Sequence, residues 1–384
     1  MVSFPSKLLK KLEQRKIENM LRKLPEKNNA LIDFSSNDYL GLARNPKVSE
    51  VGARILENED SAENGATGSR LITGNHGLYT KTEKMLADFH HCASALVFNS
   101  GYDANLGFFA SVPQRGDVVF YDELIHASIR DGISLGNAQK QKFLHNNLKN
   151  LEEKIRKEKS KLLPDAEIYV VTESVFSMDG DSPNLLKMAA ICKEYQCNLV
   201  VDEAHSVGVL GKTGKGLVPH LGIEKEVFAR IVTFGKAIGC HGAAILGSEY
   251  LKEYLTNFAR SFIYTTGLPP HSLANIQAAH QQMANSDSVI RLQENIGFFK
   301  SEIKRMGLGH RFIDSQSAIH CLKMGNVEVA KNASAKLKEA HFDVRAILSP
   351  TVPLGEEGLR ICLHSFNTKA QMEDLLILLK GLSE

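Results

Sequence analysis

Asn198-Leu-Val-Val-Asp-Glu-Ala-His205 is an apolar, β-branched run that ends in a carboxylate and, three residues on, an imidazole. A strand with no polar face belongs in a parallel sheet covered by helices on both sides. Ala95-Leu-Val-Phe98, Val118-Val-Phe-Tyr121, Ile168-Tyr-Val-Val-Thr172 and Ile231-Val-Thr-Phe234 read the same way. Between two of these runs, Ser182-Pro183 is read as the cap of a helix carrying Leu185, Met188, Ala189 and Cys192 on one face, which makes a strand–helix–strand unit. Pro269-Pro270 interrupts the alternation. Beyond it, strand-like 317–323 and 358–364 flank helix-like 326–340, and another helix is expected at 368–382. The chain is therefore expected to be α/β in three parts. Residues 1–45 form an N-terminal helix, arm and short strand joining the small domain; 46–266 form a large, mostly parallel sheet domain; 267–384 form a smaller α+β domain.

At 384 residues the chain can bury a large core, and 43% hydrophobic with 23% charged residues is ordinary globular composition. Its 46 basic and 44 acidic residues leave a net charge of +2, which exerts no overall pull on nucleic acid. No apolar run approaches the roughly 20 residues of a membrane span. The start, Met1-Val-Ser-Phe-Pro-Ser-Lys7, turns charged at once and leaves no room for a signal-peptide core, so a cytoplasmic location is expected. The six cysteines form no Cys-x-x-Cys pair and read as reduced thiols. His90-His91-Cys92 lacks a second ligand cluster at zinc spacing, so no metal is expected. Residues 6–24, with Leu8, Leu9, Leu12, Met20, Leu21 and Leu24 among Lys and Arg, read as an amphipathic helical arm lying on this protein or a partner subunit rather than on a membrane. The Lys-rich run 149–161, interleaved with Glu152, Glu153 and Glu158, reads as a solvated helix face.

Ligands of an open parallel sheet collect at the carboxyl ends of its strands. Those ends here carry Asn99-Ser-Gly-Tyr102, Asp122-Glu-Leu-Ile-His126, Glu173-Ser-Val-Phe-Ser177, Asp202 with His205, and Thr233-Phe-Gly-Lys236. Taken singly, each has an ordinary reading. His126 and His205 could be core histidines, Asp202 a turn cap, Lys236 a surface lysine. One ligand, pyridoxal 5'-phosphate, would need all of them. Its aldehyde needs an amine (Lys236), its ring a flat partner (His126), and its ring nitrogen a buried carboxylate (Asp202) with a histidine beside it (His205). Its phosphate needs amides and hydroxyls, which Gly101, Tyr102 and Thr233 offer next to a helix start. Competing nucleotide readings fail. Gly211-Lys-Thr-Gly-Lys-Gly216 lacks the phosphate-loop spacing and reads as a glycine-rich turn, and no Gly-x-Gly-x-x-Gly follows a strand.

From Asp33-Phe-Ser-Ser-Asn-Asp-Tyr-Leu-Gly-Leu42 to Pro350-Thr-Val-Pro353 and Gly358-Leu-Arg-Ile361, the chain resembles the α-oxoamine synthases, which join amino acids to acyl thioesters. The resemblance implies the aspartate aminotransferase-like fold type I of pyridoxal phosphate-dependent transferases. Val175-Phe-Ser-Met-Asp-Gly-Asp-Ser182 and Gly242-Ala-Ala244 point to the biotin-pathway branch, an acyltransferase reaction of L-alanine with pimeloyl-CoA or a pimeloyl carrier protein. It implies that Lys236 is the Schiff-base lysine, Asp202 the pyridinium partner, His205 and Ser177 neighbours of the cofactor's phenolic oxygen, and His126 the stacked histidine facing substrate. Gly101, Tyr102 and Thr233 match phosphate contacts. Thr265 and Thr266 match a segment that reaches the phosphate from the other subunit of a homodimer. Asn37 and Arg360 match groups around the amino-acid carboxylate, Thr351 a substrate contact, and Arg22 an acyl-group contact. Two further enzyme readings keep the chemistry, serine with a long-chain acyl-CoA or glycine with acetyl-CoA. A reading of another class, a non-catalytic cofactor-binding regulator, is opposed by the intact Lys236, His126 and Arg360.

Overall fold

The apolar runs pair into one sheet in a computed structural model that describes residues 4–18, 20–22, 24, 30–61 and 63–382. Its seven strands lie in the order Ser94–Phe98, Ala243–Gly247, Ala229–Thr233, Asn198–Asp202, Ile168–Glu173, Val118–Asp122, Gln139–Phe143. The five from Ala229–Thr233 to Gln139–Phe143 are mutually parallel, and Ala243–Gly247 runs antiparallel to both its neighbours. Strand residues alternate between two cores, as the period of a β-strand requires. Val119, Val171 and Val200 join one with Phe108 and Ile129, whereas Phe120, Val170 and Val201 join the other with Leu151 and Met188. Register sets Glu173 beside Asp202 and Asp202 beside Ile231, so polar strand ends gather along one edge.

A smaller antiparallel sheet, Arg345–Ile347, Gly358–Cys362 and Ile319–Lys323, carries Val327–Glu339, and Lys369–Gly381 packs beside it on Ser288–Arg305. Ile32–Asp33 pairs with Phe342–Asp343, which ties the N-terminal segment to this part. Helix Pro270–Ala284 packs instead on Pro46–Asn58 and Gly77–His90. One hydrophobic cluster, including Phe34, Val232, Leu273, Phe299 and Leu359, runs across both parts. The loop after Ile168–Glu173 is pinned to the small sheet at Gly180. There φ is +76° and a Cβ would stand 2.0 Å from the Ile319 carbonyl oxygen. Ser315 and Ser317 both donate to the Gly180 carbonyl.

Two expectations need correction. The 6–24 stretch is helical only over Ser6–Ile17, none of whose residues is buried, and residues 19 and 23 lie outside the described residues. The same holds for residues 1–3 of the charged start. The cap of Leu185–Glu194 is Asn184, whose side chain accepts from the Lys187 amide, not Ser182-Pro183. The Lys-rich run forms helix Leu148–Lys159, whose charged residues make a solvated face as read, while Leu151 and Ile155 bury the opposite face in the core. The glycine-rich turn at 211–216 is as read, with Gly211, Gly214 and Gly216 all at positive φ. Among the described residues no helix is long and apolar enough to cross a membrane.

Candidate active site

The strand ends enclose a cavity of about 260 Å³ whose walls include Asn37, Gly101, Tyr102, His126, Asp202, His205, Thr233 and Lys236. Helix Gly101–Ser111 begins here, capped by the Ser100 side chain, which accepts from the Asp103 amide. The amides of Gly101 and Tyr102, in the first turn, have no intrahelical acceptor. A Cβ on Gly101 would come within 2.6 Å of Thr233 Cγ2, so only glycine leaves this wall its shape. Tyr102 is half-exposed, its hydroxyl donating to Asp131.

Asp202 is buried and its carboxylate is held at both oxygens. Oδ1 accepts from the Ala204 amide at 2.9 Å and Oδ2 from Asn105 Nδ2 at 2.9 Å. Asn105 Oδ1 is buried without a partner among the described residues. Glu173, fully enclosed beside Asp202, accepts the backbone N–H of His126. Burial, reinforced by the Asp202 charge, pushes its carboxyl up to about 8. The Lys236 side-chain amine makes no hydrogen bond or ion pair with any described residue. Loss of solvent lowers its pKa; Asp202 and Glu173 oppose that and Arg360 adds to it. Burial likewise lowers the pKa of His126, with Asp202 opposing and Lys236 assisting. His205 falls well below the usual imidazole range through burial beside the cations Lys236 and Arg360. Its Nδ1 lies 2.8 Å from the Tyr39 hydroxyl.

Arg360 is a buried cation with no carboxylate partner among the described residues. Its Nε donates to the Ser177 carbonyl at 2.7 Å, Nη2 to Asn37 Oδ1 at 2.9 Å and Nη1 to Cys362 Sγ at 2.9 Å. A second cleft, of about 690 Å³, opens on the other side of His126, which lines both spaces. Arg22, Ser177 and Thr351 lie on the wall of this larger cleft rather than on that of the smaller cavity. Thr265 and Thr266 are not on the cavity wall of their own chain. Asn99 Nδ2 donates to Thr265 Oγ1 and to the Thr266 carbonyl, leaving Thr266 exposed at the surface. Asn105, Ser128, Glu173 and Tyr39 belong to the site and were not picked out as site residues in the sequence reading.

The set suits pyridoxal phosphate on its own chemistry. An unpaired amine, a buried carboxylate with both oxygens oriented, free helix-start amides and a glycine-shaped wall meet in one cavity. The aminotransferase class I and II family model matches residues 29–377. The 8-amino-7-oxononanoate synthase of Emericella nidulans is 37% identical over 382 residues, 95% of this chain and 92% of that relative. Among solved structures, the 8-amino-7-oxononanoate synthase of Francisella tularensis matches at TM-score 0.77 and 31% identity, over 92% of this chain and 98% of that one. The serine palmitoyltransferase of S. paucimobilis with bound PLP–myriocin aldimine matches at TM-score 0.87 and 26% identity, over 100% and 98%. The chain belongs to the aminotransferase class I and II family and, within it, to the pyridoxal phosphate-dependent α-oxoamine synthases, acyltransferases of fold type I. Its likeness among the curated members is to 8-amino-7-oxononanoate synthase.

Proposed function

We propose that the chain condenses L-alanine with a pimeloyl thioester, carried by CoA or a carrier protein, to give 8-amino-7-oxononanoate, carbon dioxide and free thiol in biotin biosynthesis. The observation that carries this reading is the juxtaposition of an unpaired, desolvated Lys236 with a buried Arg360 that has no carboxylate partner, in a chain similar to synthases of that name. Pyridoxal phosphate, when bound, supplies an aldehyde that captures an amine and a protonated ring that withdraws electrons from the amino acid's α-carbon. Lys236 would hold the aldehyde and Asp202 the ring nitrogen. His126 would stack on the ring, and His205 and Ser177 would serve the phenolic oxygen. Gly101, Tyr102 and Thr233 would hold the phosphate, joined by Thr265 and Thr266 of a second copy.

Arg360, steadied by Asn37, binds the alanine carboxylate through its planar fork. Lys236 Nζ, its pKa lowered, takes the proton from the α-carbon. That carbon then bonds to the thioester carbonyl carbon and the carbon–sulfur bond breaks, releasing a thiolate that takes its proton from water. The alanine carboxylate leaves as carbon dioxide, and Lys236 returns a proton to the carbon. Thr351 and Arg22 line the way for the acyl group. The active protein in this reading is a cytoplasmic homodimer built from parts at 1–45, 46–266 and 267–384. The likeness to serine palmitoyltransferase, together with the roomy second cleft, favours one other reading, serine with a long-chain acyl-CoA. Carbon dioxide release measured for alanine, serine and glycine, each with pimeloyl, palmitoyl and acetyl thioesters, decides between them. Highest kcat/KM for alanine with pimeloyl thioester is expected; highest with serine and palmitoyl-CoA overturns the proposal.

A further inference from the structure

His126 stands between the two spaces, and its usefulness to a substrate depends on which ring nitrogen carries the proton. A chain of buried donors bears on that choice. It starts at Asp202, whose carboxylate can only accept. Asn105 therefore turns its amide nitrogen toward Asp202, Nδ2 to Oδ2 at 2.9 Å, and the same nitrogen donates to Ser128 Oγ at 3.0 Å. The reverse amide orientation would set oxygen against the Asp202 carboxylate and draw the Ser128 proton toward Asn105, away from His126. The unpartnered Asn105 Oδ1 is the cost of the orientation observed. Because Ser128 Oγ accepts from Asn105, its own proton is free to go to His126 Nδ1, 2.7 Å away. The Ser128 backbone N–H points at the same nitrogen at 3.2 Å, since His126 caps helix Ala127–Leu135 through Nδ1. A nitrogen receiving two donors holds its lone pair.

We propose that Asn105 and Ser128 are positioning residues that fix the neutral ring of His126 as the Nε2–H tautomer, so that a hydrogen-bond donor faces the reacting groups. Of the charged groups around the ring, Asp202 and Asp131 favour its cation, while Lys236 opposes it. Neutral His205 lies close by, and Glu173 holds the His126 backbone N–H. The relay adds what these charges do not, a direction. Asp202 dictates the amide, the amide the hydroxyl, and the hydroxyl the imidazole. The inference deepens the proposed function by giving His126 a donor's role, but its first readout does not depend on any substrate.

The test uses the cofactor-loaded protein labelled with 15N-histidine, with the His126 signals assigned by their loss in His126→Gln. A protonated Nε2 and an unprotonated Nδ1 are expected near neutral pH. Protonated Nδ1 in the neutral ring overturns the proposal, whatever the thioester panel shows. In Ser128→Ala the hydroxyl donor is gone, so the His126 titration rises by about one pH unit, and the acid limb of kcat/KM follows it. Asn105→Ala, which frees the hydroxyl to turn, moves both in the same direction. Unchanged titration in both folded variants also overturns it. If either variant fails to fold, the wild-type tautomer alone decides.

Discussion

Arg360 spreads one guanidinium over three acceptors, the Ser177 carbonyl, Asn37 and Cys362, which fixes the plane it offers to a carboxylate. A lysine there places its donors at a single point and cannot span them. Arg360→Lys should cost about 1.5–3 kcal/mol of amino-acid binding, the range for a charged hydrogen bond, and so raise KM for the amino acid roughly 10- to 100-fold. Steady-state kinetics with kcat little changed would bear this out. Lys236→Ala should reduce carbon dioxide release to background. It removes a desolvated amine that makes no bond to a described residue, so the thermal midpoint should hold or rise. Retained multiple turnover would remove Lys236 from the mechanism. Residues such as Lys236, Asp202 and His126 are legible in the sequence because a parallel sheet exposes its strand ends, and polar residues there stand out against apolar runs. Asn105 and Ser128 are not. Each is an unremarked polar residue on a helix, and only the fold shows that both face Asp202 and His126.

Asp122, at the end of Val118–Asp122, and Asp181, in the loop after Ile168–Glu173, are clamped together by one ring. His145 Nδ1 lies 2.9 Å from Asp122 Oδ1, and Nε2 lies 2.8 Å from Asp181 Oδ2. Burial alone would depress this imidazole, but hydrogen bonds to the two carboxylates outweigh it and raise its pKa from 6.5 to about 10. The folded state thus binds a proton that the unfolded chain releases. The stabilisation is fully present below about pH 6.5 and is lost as pH rises through about 10. Wild type should therefore lose more of its thermal midpoint between pH 7 and pH 10 than His145→Gln, which starts lower and falls less. Equal slopes would mean the clamp holds no proton. The same loop carries Ser177, whose carbonyl orients Arg360, so His145→Gln should also weaken amino-acid binding. The elements themselves differ in how plainly they could be read. The buried strands declare themselves by unbroken apolar runs, whereas Gln139–Phe143 reads Gln-Lys-Gln-Lys-Phe, the charged pattern of an edge strand that pairing alone reveals. Ala243–Gly247 hides because small residues carry little strand signal, and its reversed direction depends on a turn rather than on composition.

Across the whole molecule, the loops around Gly68 and Gly267 meet through the Gly267 amide and the Gly68 carbonyl, and they present apolar side chains outward. Ile72 is 82% exposed, Tyr264 72% and Leu71 51%, beside Thr265 and Thr266. Large apolar groups this exposed on adjoining loops are what a partner chain would cover. A second copy of the chain is the occupant that would also bring Thr265 and Thr266 to a cavity they do not reach within their own chain. In a two-fold pair each residue acts twice, so burying Ile72 at about 1.5–3 kcal/mol per copy contributes about 3–6 kcal/mol to the dimer. Sedimentation of the wild type should give twice the chain's 42.4 kDa at micromolar concentration. Ile72→Arg should shift it toward monomer, weakening association roughly 100-fold or more. Because the cofactor phosphate would lose its second-copy contacts, the monomer should also bind pyridoxal phosphate more weakly, although every residue lining the Lys236 cavity remains in place. A dimer that persists in Ile72→Arg would move the interface elsewhere. A monomer that binds the cofactor with wild-type affinity would show that each cavity is complete within one chain.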